Sequence, residues 1–545
     1  MTMKNNLELR VPGRLFFVLI LFFLGFQYWN SISSEPFFNN DETRHLMTGV
    51  FFRDFLHDLP LSHIRNYTVD YYLKYPALGL LVWPPLFYMI EGAVMLIFGT
   101  SFLTGKVLIL AFACLVLFYL FQLARRTQDS MTALFACALL AFSPLFFSYS
   151  QTVMLEIPTL AFSLGSVFYF QRFLDGEKSS NVFLAALFCA MALLTRFDAL
   201  FLFPTFLVMT LIQNQFRFLF RKESILAFLI CILIVSPAYL LTILQFGHSH
   251  AQAINSGTGA DSSHLLALSN FLYYPRIIPS QLGWPLTALV ISGCFLLLLP
   301  SNRKTSTSYI AMIVGTYLTF SPMAELEARH AIYWIPALSV CAALVIAFLW
   351  KNQFRLLAGL LGSLCLFGTA YGTINTSPQY VRGYSEAATY VLSHTQTSPY
   401  CLFDNYLNGN FIYQIRTHDP ERKLGVLRGD KLFYGVLSDP HAAYKEFAHG
   451  TEDILSKIYA YDPEYIVTED PQMGFVMPMA ERLREILHDS TSRFKLEKSI
   501  PLQTNRRSFQ GISLLIYRNL LRNPNPSRLE SLEMVGLGRP LKAHP

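Results

Sequence analysis

Charge is what this chain has least of: Asp, Glu, Lys and Arg make up 14% of its 545 residues, where soluble domains carry about 25%. With 53% hydrophobic residues and 48 Phe, this excludes a soluble protein of such size and puts much of the chain in a bilayer. Disulfide chemistry is missing as well. Of 8 cysteines, Cys114, Cys137, Cys189, Cys231, Cys294, Cys341 and Cys365 lie inside apolar runs and only Cys401 lies in a polar region, so neither a disulfide framework nor a zinc-ligand spacing follows. A formal charge of +6, spread over short hydrophilic breaks, argues against a nucleic-acid partner. There is no internal repeat of fixed period. Nor does a small-residue cleavage site follow the first apolar run, residues 15–29, which therefore reads as a retained helix.

Basic residues Lys4, Arg10 and Arg14 before that run put the N-terminus in the cytoplasm. The run 77–99 is long enough to cross, yet it holds Pro84-Pro85 and Glu91, and a charge at the bilayer centre costs about 2.5–3.5 kcal/mol on insertion scales. If it crossed, Arg125-Arg126 would fall outside, against the positive-inside rule. It is therefore read as an interfacial or re-entrant helix, and residues 30–104 become one large outer loop, with residues 41–59 forming an amphipathic helix on Leu46, Val50, Phe55 and Leu59. Spans follow near 105–124, 131–149, 157–174, 181–195, 199–216, 224–243, 284–300, 309–322, 331–350 and 356–372. With the first helix this makes about eleven. The inner breaks then carry Arg125-Arg126, Arg172 with Lys178, Arg217 with Arg221 and Lys222, Arg303-Lys304, and Lys351 with Arg355. The outer breaks carry Glu156, Thr195-Arg196-Phe197-Asp198, a loop over 245–283, and Glu325-Leu326-Glu327-Ala328-Arg329-His330.

Past residue 372 the composition turns polar. Helical patterns at 385–393 and 480–488 alternate with strand-like runs at 400–403, 465–468 and 512–517. The expected fold is thus a polytopic α-helical membrane domain over 1–372, whose outer loop 30–104 holds interfacial helices, plus an extracytoplasmic α/β domain over 373–522. Residues 523–545, rich in Pro and Gly, are expected to be a disordered tail.

The stretch Asn39-Asn40-Asp41-Glu42-Thr43-Arg44-His45 stands out, because an adjacent carboxylate pair lies beside the bilayer. Its ordinary explanation is a helix start, capped by Asn39 or Asn40, where acids favour the free N–H groups and the dipole. Its functional explanation is a proton acceptor. Glu156, at the junction of two spans, is expensive there unless paired or functional. It is either an acid reaching toward water or a supporting acid or metal ligand; Asp41 and Glu156 are the only metal candidates, for a divalent ion, and no clustered oxygen-ligand signature supports them. Lys74-Tyr75-Pro76 either punctuates an interfacial helix pair or lets Lys74 grip a lipid phosphate at headgroup depth. Arg329-His330 either salt-bridges Glu325 or Glu327 or binds phosphate through the guanidinium fork.

Taken together, the Asp41-Glu42 pair, Pro84-Pro85-Leu86, Glu156-Ile157-Pro158 and Arg329 before a span with Tyr333 and Pro336 resemble the C-type integral membrane glycosyltransferases. The branch is that of the protein O-mannosyltransferases and the bacterial aminoarabinose transferase of lipid A. Two residues depart from the pattern: Glu156 stands where many relatives carry Asp, and Trp83 precedes Pro84 where a basic or polar residue is frequent. The resemblance implies an inverting transfer of a sugar from a polyprenyl-phosphate donor to a lipid, glycan or protein acceptor on the outer face of a bacterial plasma membrane. Asp41 would be the base with Glu42 and Glu156 supporting it, and Lys74, Tyr75, Arg329 and His330 would meet the donor. A transporter or lipid flippase is the alternative, disfavoured because the acids cluster at outer span ends and no repeat-related halves exist.

Overall fold

The computed structural model describes residues 2–31, 40–256, 264–299, 303–375, 379–436, 444–473, 476–489, 492–534, 537 and 539–543. The chain forms two compact units. One comprises Met1–Ile32, Leu81–Phe87 and Lys106–Pro378; the other comprises Ser33–Leu80, Tyr88–Gly105 and Gln379–Pro545. The boundary differs from the expected one: most of the first outer loop belongs with the C-terminal domain rather than with the spans.

In the first unit each expected span overlaps helix among the described residues. Five helical stretches among the described residues are long and apolar enough to cross a membrane: Pro12–Trp29, Phe102–Thr127, Lys222–Ala251, Ala328–Lys351 and Arg355–Ile374. The other expected spans are shorter or less apolar. Run 131–149 breaks into Ser130–Ala141 and Pro144–Tyr149, because Pro144 lacks the N–H that a continuing helix needs. The loop expected over 245–283 is partly helical instead, since Lys222–Ser256 continues beyond the apolar run and Leu268–Leu282 is a helix.

The breaks assigned to one side do meet. Arg126 pairs with Asp175 at 2.8 Å and with Glu177 at 2.6 Å. Arg172 also pairs with Glu177 (2.7 Å), Lys351 with Asp129 (3.3 Å), and the Thr127 and Tyr309 hydroxyls lie 2.6 Å apart. The basic breaks around Arg125-Arg126, Arg172 and Lys351 are thus joined from distant points in the sequence.

The second unit is built on a five-stranded sheet in the order Gly425–Arg428, Tyr400–Asp404, Tyr465–Asp470, Ser513–Asn519, Phe494–Pro501. The first three strands run parallel, and Ser513–Asn519 pairs antiparallel with both of its neighbours. All three expected strand runs are found, as are the two helices, at Tyr384–His394 and Pro478–Asp489. Leu402, Leu427, Ile466, Ile454, Ile458, Leu483 and Leu487 pack one core, and Leu73 of the first loop joins it. Residues 523–545, expected to be disordered, return to that core through Leu529 and Leu532 and pair Ser531–Leu532 with Leu541–Lys542.

The first loop provides helices Asn40–Asp58, Ile64–Lys74 and Leu86–Phe98. The last begins directly after Pro84-Pro85. Its 13 residues rise only about 20 Å, short of a hydrocarbon core of about 30 Å, which agrees with an element that does not cross. Gly49 and Gly92 let it approach Asn40–Asp58 closely. A Cβ at position 92 would come within 2.8 Å of the Arg53 backbone N, and one at position 49 within 2.2 Å of a Glu91 carboxyl oxygen.

The far end of Asn40–Asp58 is tied to helix Asn408–His418 by a buried cluster. Arg416 donates to Asp54 Oδ2 at 2.6 Å, and the Tyr71 hydroxyl donates to the same oxygen at 2.7 Å. The side chains of Arg416 and Asp54 are only 2% and 1% exposed. Asp58, next to the solvent, takes a matching pair of bonds from Arg422 and Tyr67.

Removing one partner of a buried ion pair strands the other, at about 3–5 kcal/mol, whereas exposed pairs contribute about 1 kcal/mol or less. Arg416→Ala is therefore expected to lower the thermal unfolding temperature markedly and Arg422→Ala only slightly, as read by melting of the purified protein. A pH effect is expected from Glu469. Burial pushes its carboxyl up to about 7, although the Tyr406 and Met473 backbone N–H groups oppose this. A carboxyl raised above its usual 4.5 binds more protons folded than unfolded. Its contribution to stability thus falls as pH rises from about 4.5 to about 7, by at most about 1.4 kcal/mol per pH unit. Comparing melting temperatures of wild type and Glu469→Gln across that window checks this: the variant loses the slope.

Candidate functional site

The expected site residues fall into two groups, one in each unit. In the second unit, Asp41 and Glu42 occupy the first turn of Asn40–Asp58, where the helix dipole and free N–H groups favour acids. Asn39, one of the two expected caps, lies outside the described residues. The two acids differ in setting. Glu42 is fully buried, while the side chain of Asp41 is 29% exposed and lies 3.5 Å from the Arg44 guanidinium. One turn on, His45 Nδ1 is 2.8 Å from the Tyr88 hydroxyl. The Thr48 hydroxyl donates to the Arg44 carbonyl (2.6 Å) and accepts from the Gly79 N–H (2.8 Å). These bonds, with the Gly49–Glu91 packing and the Asp54 cluster, hold the acid-bearing helix along its length.

Lys74 ends helix Ile64–Lys74, and its ammonium donates to the Arg422 carbonyl. With Asp70, Tyr400, Lys423 and Arg528 it lines a cavity of about 390 Å³. Burial lowers its pKa, as do Arg422, Arg416 and Arg528, while Asp419 opposes them. Tyr75 is fully buried, its ring 5.3 Å from that of Tyr71. It packs the segment from inside instead of presenting a surface to a donor.

In the first unit, three of the breaks expected on one side converge. Glu156 opens helix Glu156–Leu174 and is fully buried. Arg196 Nη1 lies 2.9 Å from Glu156 Oε1, and Arg196 Nε lies 2.5 Å from Asp198 Oδ2. The Tyr333 hydroxyl reaches the same Asp198 oxygen at 3.3 Å. Arg329 Nε is 3.7 Å from Glu156 and pairs with Glu327, the ordinary ion pair that the sequence left open. His330 is 8% exposed and stacks on Phe320.

Asp198 and Tyr333 were missed as site residues, though the Arg196-Phe197-Asp198 spacing already held the pair. Two guanidiniums around Glu156 repel a cation, so this carboxylate does not fit a divalent metal. Among the described residues, no group of three or more His, Cys, Asp or Glu is placed to hold one.

Residues 82–240 match a family described as dolichyl-phosphate-mannose-protein mannosyltransferase. No curated protein matches the chain. Among solved structures, ArnT from Cupriavidus metallidurans bound to undecaprenyl phosphate is similar with TM-score 0.63 and 12% identity, over 94% of this chain and 100% of that one. The Archaeoglobus fulgidus oligosaccharyltransferase tethered to an acceptor peptide gives 0.54 and 11%, over 84% and 69%. The arabinofuranosyltransferase AftD from Mycobacteria gives 0.56 and 10%, over 95% of this chain and 40% of that one. The resemblance read from the motifs is borne out: the fold is that of the C-type integral membrane glycosyltransferases, and each of these likenesses leads to a glycosyltransferase.

Arg196 is 6% exposed between two carboxylates, so Arg196→Leu leaves both without their main counter-charge. The expected cost is about 3–5 kcal/mol. Thermal unfolding should show a large drop for Arg196→Leu, and a smaller one for Arg329→Leu, whose side chain is 19% exposed.

Proposed function

We propose that the protein is an inverting glycosyltransferase that moves a sugar from a polyprenyl-phosphate donor to an acceptor at the extracytoplasmic membrane face, with Asp41 as the base. One observation carries the reading: of the adjacent acids, Asp41 keeps a partly exposed carboxylate on a firmly held helix while Glu42 is buried. A base must reach the proton it takes, and its position must be fixed beforehand. The likeness to an ArnT structure that holds undecaprenyl phosphate supports a lipid-linked donor.

In this mechanism Asp41 accepts the proton of the acceptor's hydroxyl or amine as that group attacks the anomeric carbon. The bond to the lipid phosphate breaks on the opposite side. The phosphate leaves as a stable anion and needs little protonation, so one carboxylate suffices and the paired acids of a glycosidase are not required. Cations stabilise the departing charge; Lys74, Arg329 and His330 are proposed for this, with Arg196 and Glu156 setting the position of Arg329. Glu42 supports the first turn from inside.

A transporter or flippase would keep moving lipid when Asp41 loses its charge. Asp41→Asn, expressed at wild-type level, is expected to lose transfer by about 10²–10⁴-fold, the usual range for a general base. Mass spectrometry of cellular lipids and glycans reads this as a missing sugar and an accumulating lipid-phosphate donor. Unchanged glycans, with lipid flipping intact, would overturn the reading.

A further inference from the structure

Helices Glu156–Leu174, Ser180–Leu193, Leu202–Ile212 and Lys222–Ser256 of the first unit border a cavity of about 410 Å³ whose walls carry no charge. Ser180–Leu193 contributes Val182 and Ala186, and Lys222–Ser256 contributes Ser224 and Ala227, so the cavity lies along the opening turns of both. The Ser224 hydroxyl donates to the Phe218 carbonyl at 2.6 Å. What remains of the wall is aliphatic, aromatic and thiol. Phe220, Ile225 and Phe228 line the cavity and are 66%, 47% and 50% exposed, so it opens outward. Since Lys222–Ala251 is long and apolar enough to cross a membrane, the opening faces hydrocarbon.

The break that leads into Lys222–Ser256 carries Arg217, Arg221 and Lys222, all exposed. Leu219 and Phe220, which line the cavity, lie between the two arginines in the chain. Arg221 is held in place by its own neighbour, its guanidinium 3.5 Å from the centre of the Phe218 ring. Among the described residues none of the three cations makes an ion pair, and neither does Glu223 beside them. The break therefore keeps an excess of positive charge. The acids of the preceding break cannot neutralise it, because Asp175 and Glu177 are taken by Arg126 and Arg172. A second apolar cavity, of about 370 Å³ beside Phe135 and Trp350, differs in this respect: its cation, Lys351, is paired with Asp129.

An apolar slot open to the bilayer, next to a rim of unpaired cations, suits a molecule with a hydrocarbon chain and an anionic head. Lipid tails are as apolar as the leucines and phenylalanines they would replace, so the slot fixes where a chain lies and the rim decides which lipid is chosen. Basic clusters at headgroup depth attract anionic lipid. We propose that this cavity binds an anionic phospholipid of the surrounding bilayer, an acyl chain in the slot and the headgroup phosphate on Arg217, Arg221 and Lys222. The site shares no residue with the proposed donor contacts, Lys74, Arg329 and His330, and does not rest on the transferase reading.

The test is lipid binding to the full chain in detergent, read by native mass spectrometry, with phosphatidylglycerol, phosphatidylcholine and undecaprenyl phosphate as separate probes. Wild type should bind phosphatidylglycerol more tightly than phosphatidylcholine. Each cation near the surface contributes about fivefold, so Arg217→Gln, Arg221→Gln and Lys222→Gln together should weaken phosphatidylglycerol roughly 100-fold and leave phosphatidylcholine unchanged. All three side chains are exposed, so this variant is expected to fold. Ala186→Phe, which fills the slot, should weaken phosphatidylglycerol with the cations intact; if it fails to fold, Ile225→Trp at the exposed mouth replaces it. Equal affinity of wild type and the triple variant for phosphatidylglycerol overturns the proposal. Loss in the triple variant without loss on filling the slot means attraction to the surface alone, and overturns the cavity as the site. Displacement of phosphatidylglycerol by a lower concentration of undecaprenyl phosphate makes the occupant a polyprenyl lipid and overturns the phospholipid.

Discussion

A carboxylate that stays ionised out of water needs a cation or N–H donors beside it, and in a chain this poor in charge each meeting with a cation fixes part of the fold. The Asp54–Arg416 pair joins residues 362 positions apart in the sequence, with Tyr71 closing it from a third element. Neither ion has more than a few per cent of its surface in contact with solvent. Breaking even against desolvation demands near-ideal geometry, so the pair specifies how the acid-bearing helix lies on the C-terminal domain. Asp41, about three and a half turns earlier on that helix, inherits its position from this arrangement.

The first unit repeats the logic with Glu156, Arg196 and Asp198, two acids sharing one guanidinium. Here three breaks of the chain are held together by charge where apolar packing alone would leave them free to slide. Each unit thus holds one carboxylate at a helix start beside an arginine, Asp41 near Arg44 in one and Glu156 near Arg196 in the other. Only Asp41 retains access to water among the three proposed acids.

Much of this was legible beforehand. Asp41-Glu42 and Glu156 are conspicuous because charges are scarce, and breaks that the distribution of Arg and Lys assigned to a common side are in contact, Arg126 with Asp175 and Arg196 with Glu156. Central strands such as Tyr465–Asp470 announce themselves by apolar β-formers. What stayed hidden depends on long-range pairing. Nothing local marks Arg416 as the partner of Asp54. The edge strand Phe494–Pro501 is largely polar and carries a register shift between Leu496 and Lys498, so its pattern does not alternate cleanly. Tyr75, a donor contact by the family resemblance, has its ring in the interior, and nothing in the local sequence separates an exposed tyrosine there from a buried one.

The returning C-terminal segment has a practical side. Its proline and glycine content invites trimming at about residue 522, yet Leu529 is 3% and Leu532 2% exposed. The Leu529 N–H also donates to the hydroxyl of Tyr400, whose strand lies in the sheet. Shortened there, the molecule would show bare hydrocarbon where the segment now sits, and would tend to self-associate. The last stretch is thus a seal, and an expression tag is better attached behind it than in its place.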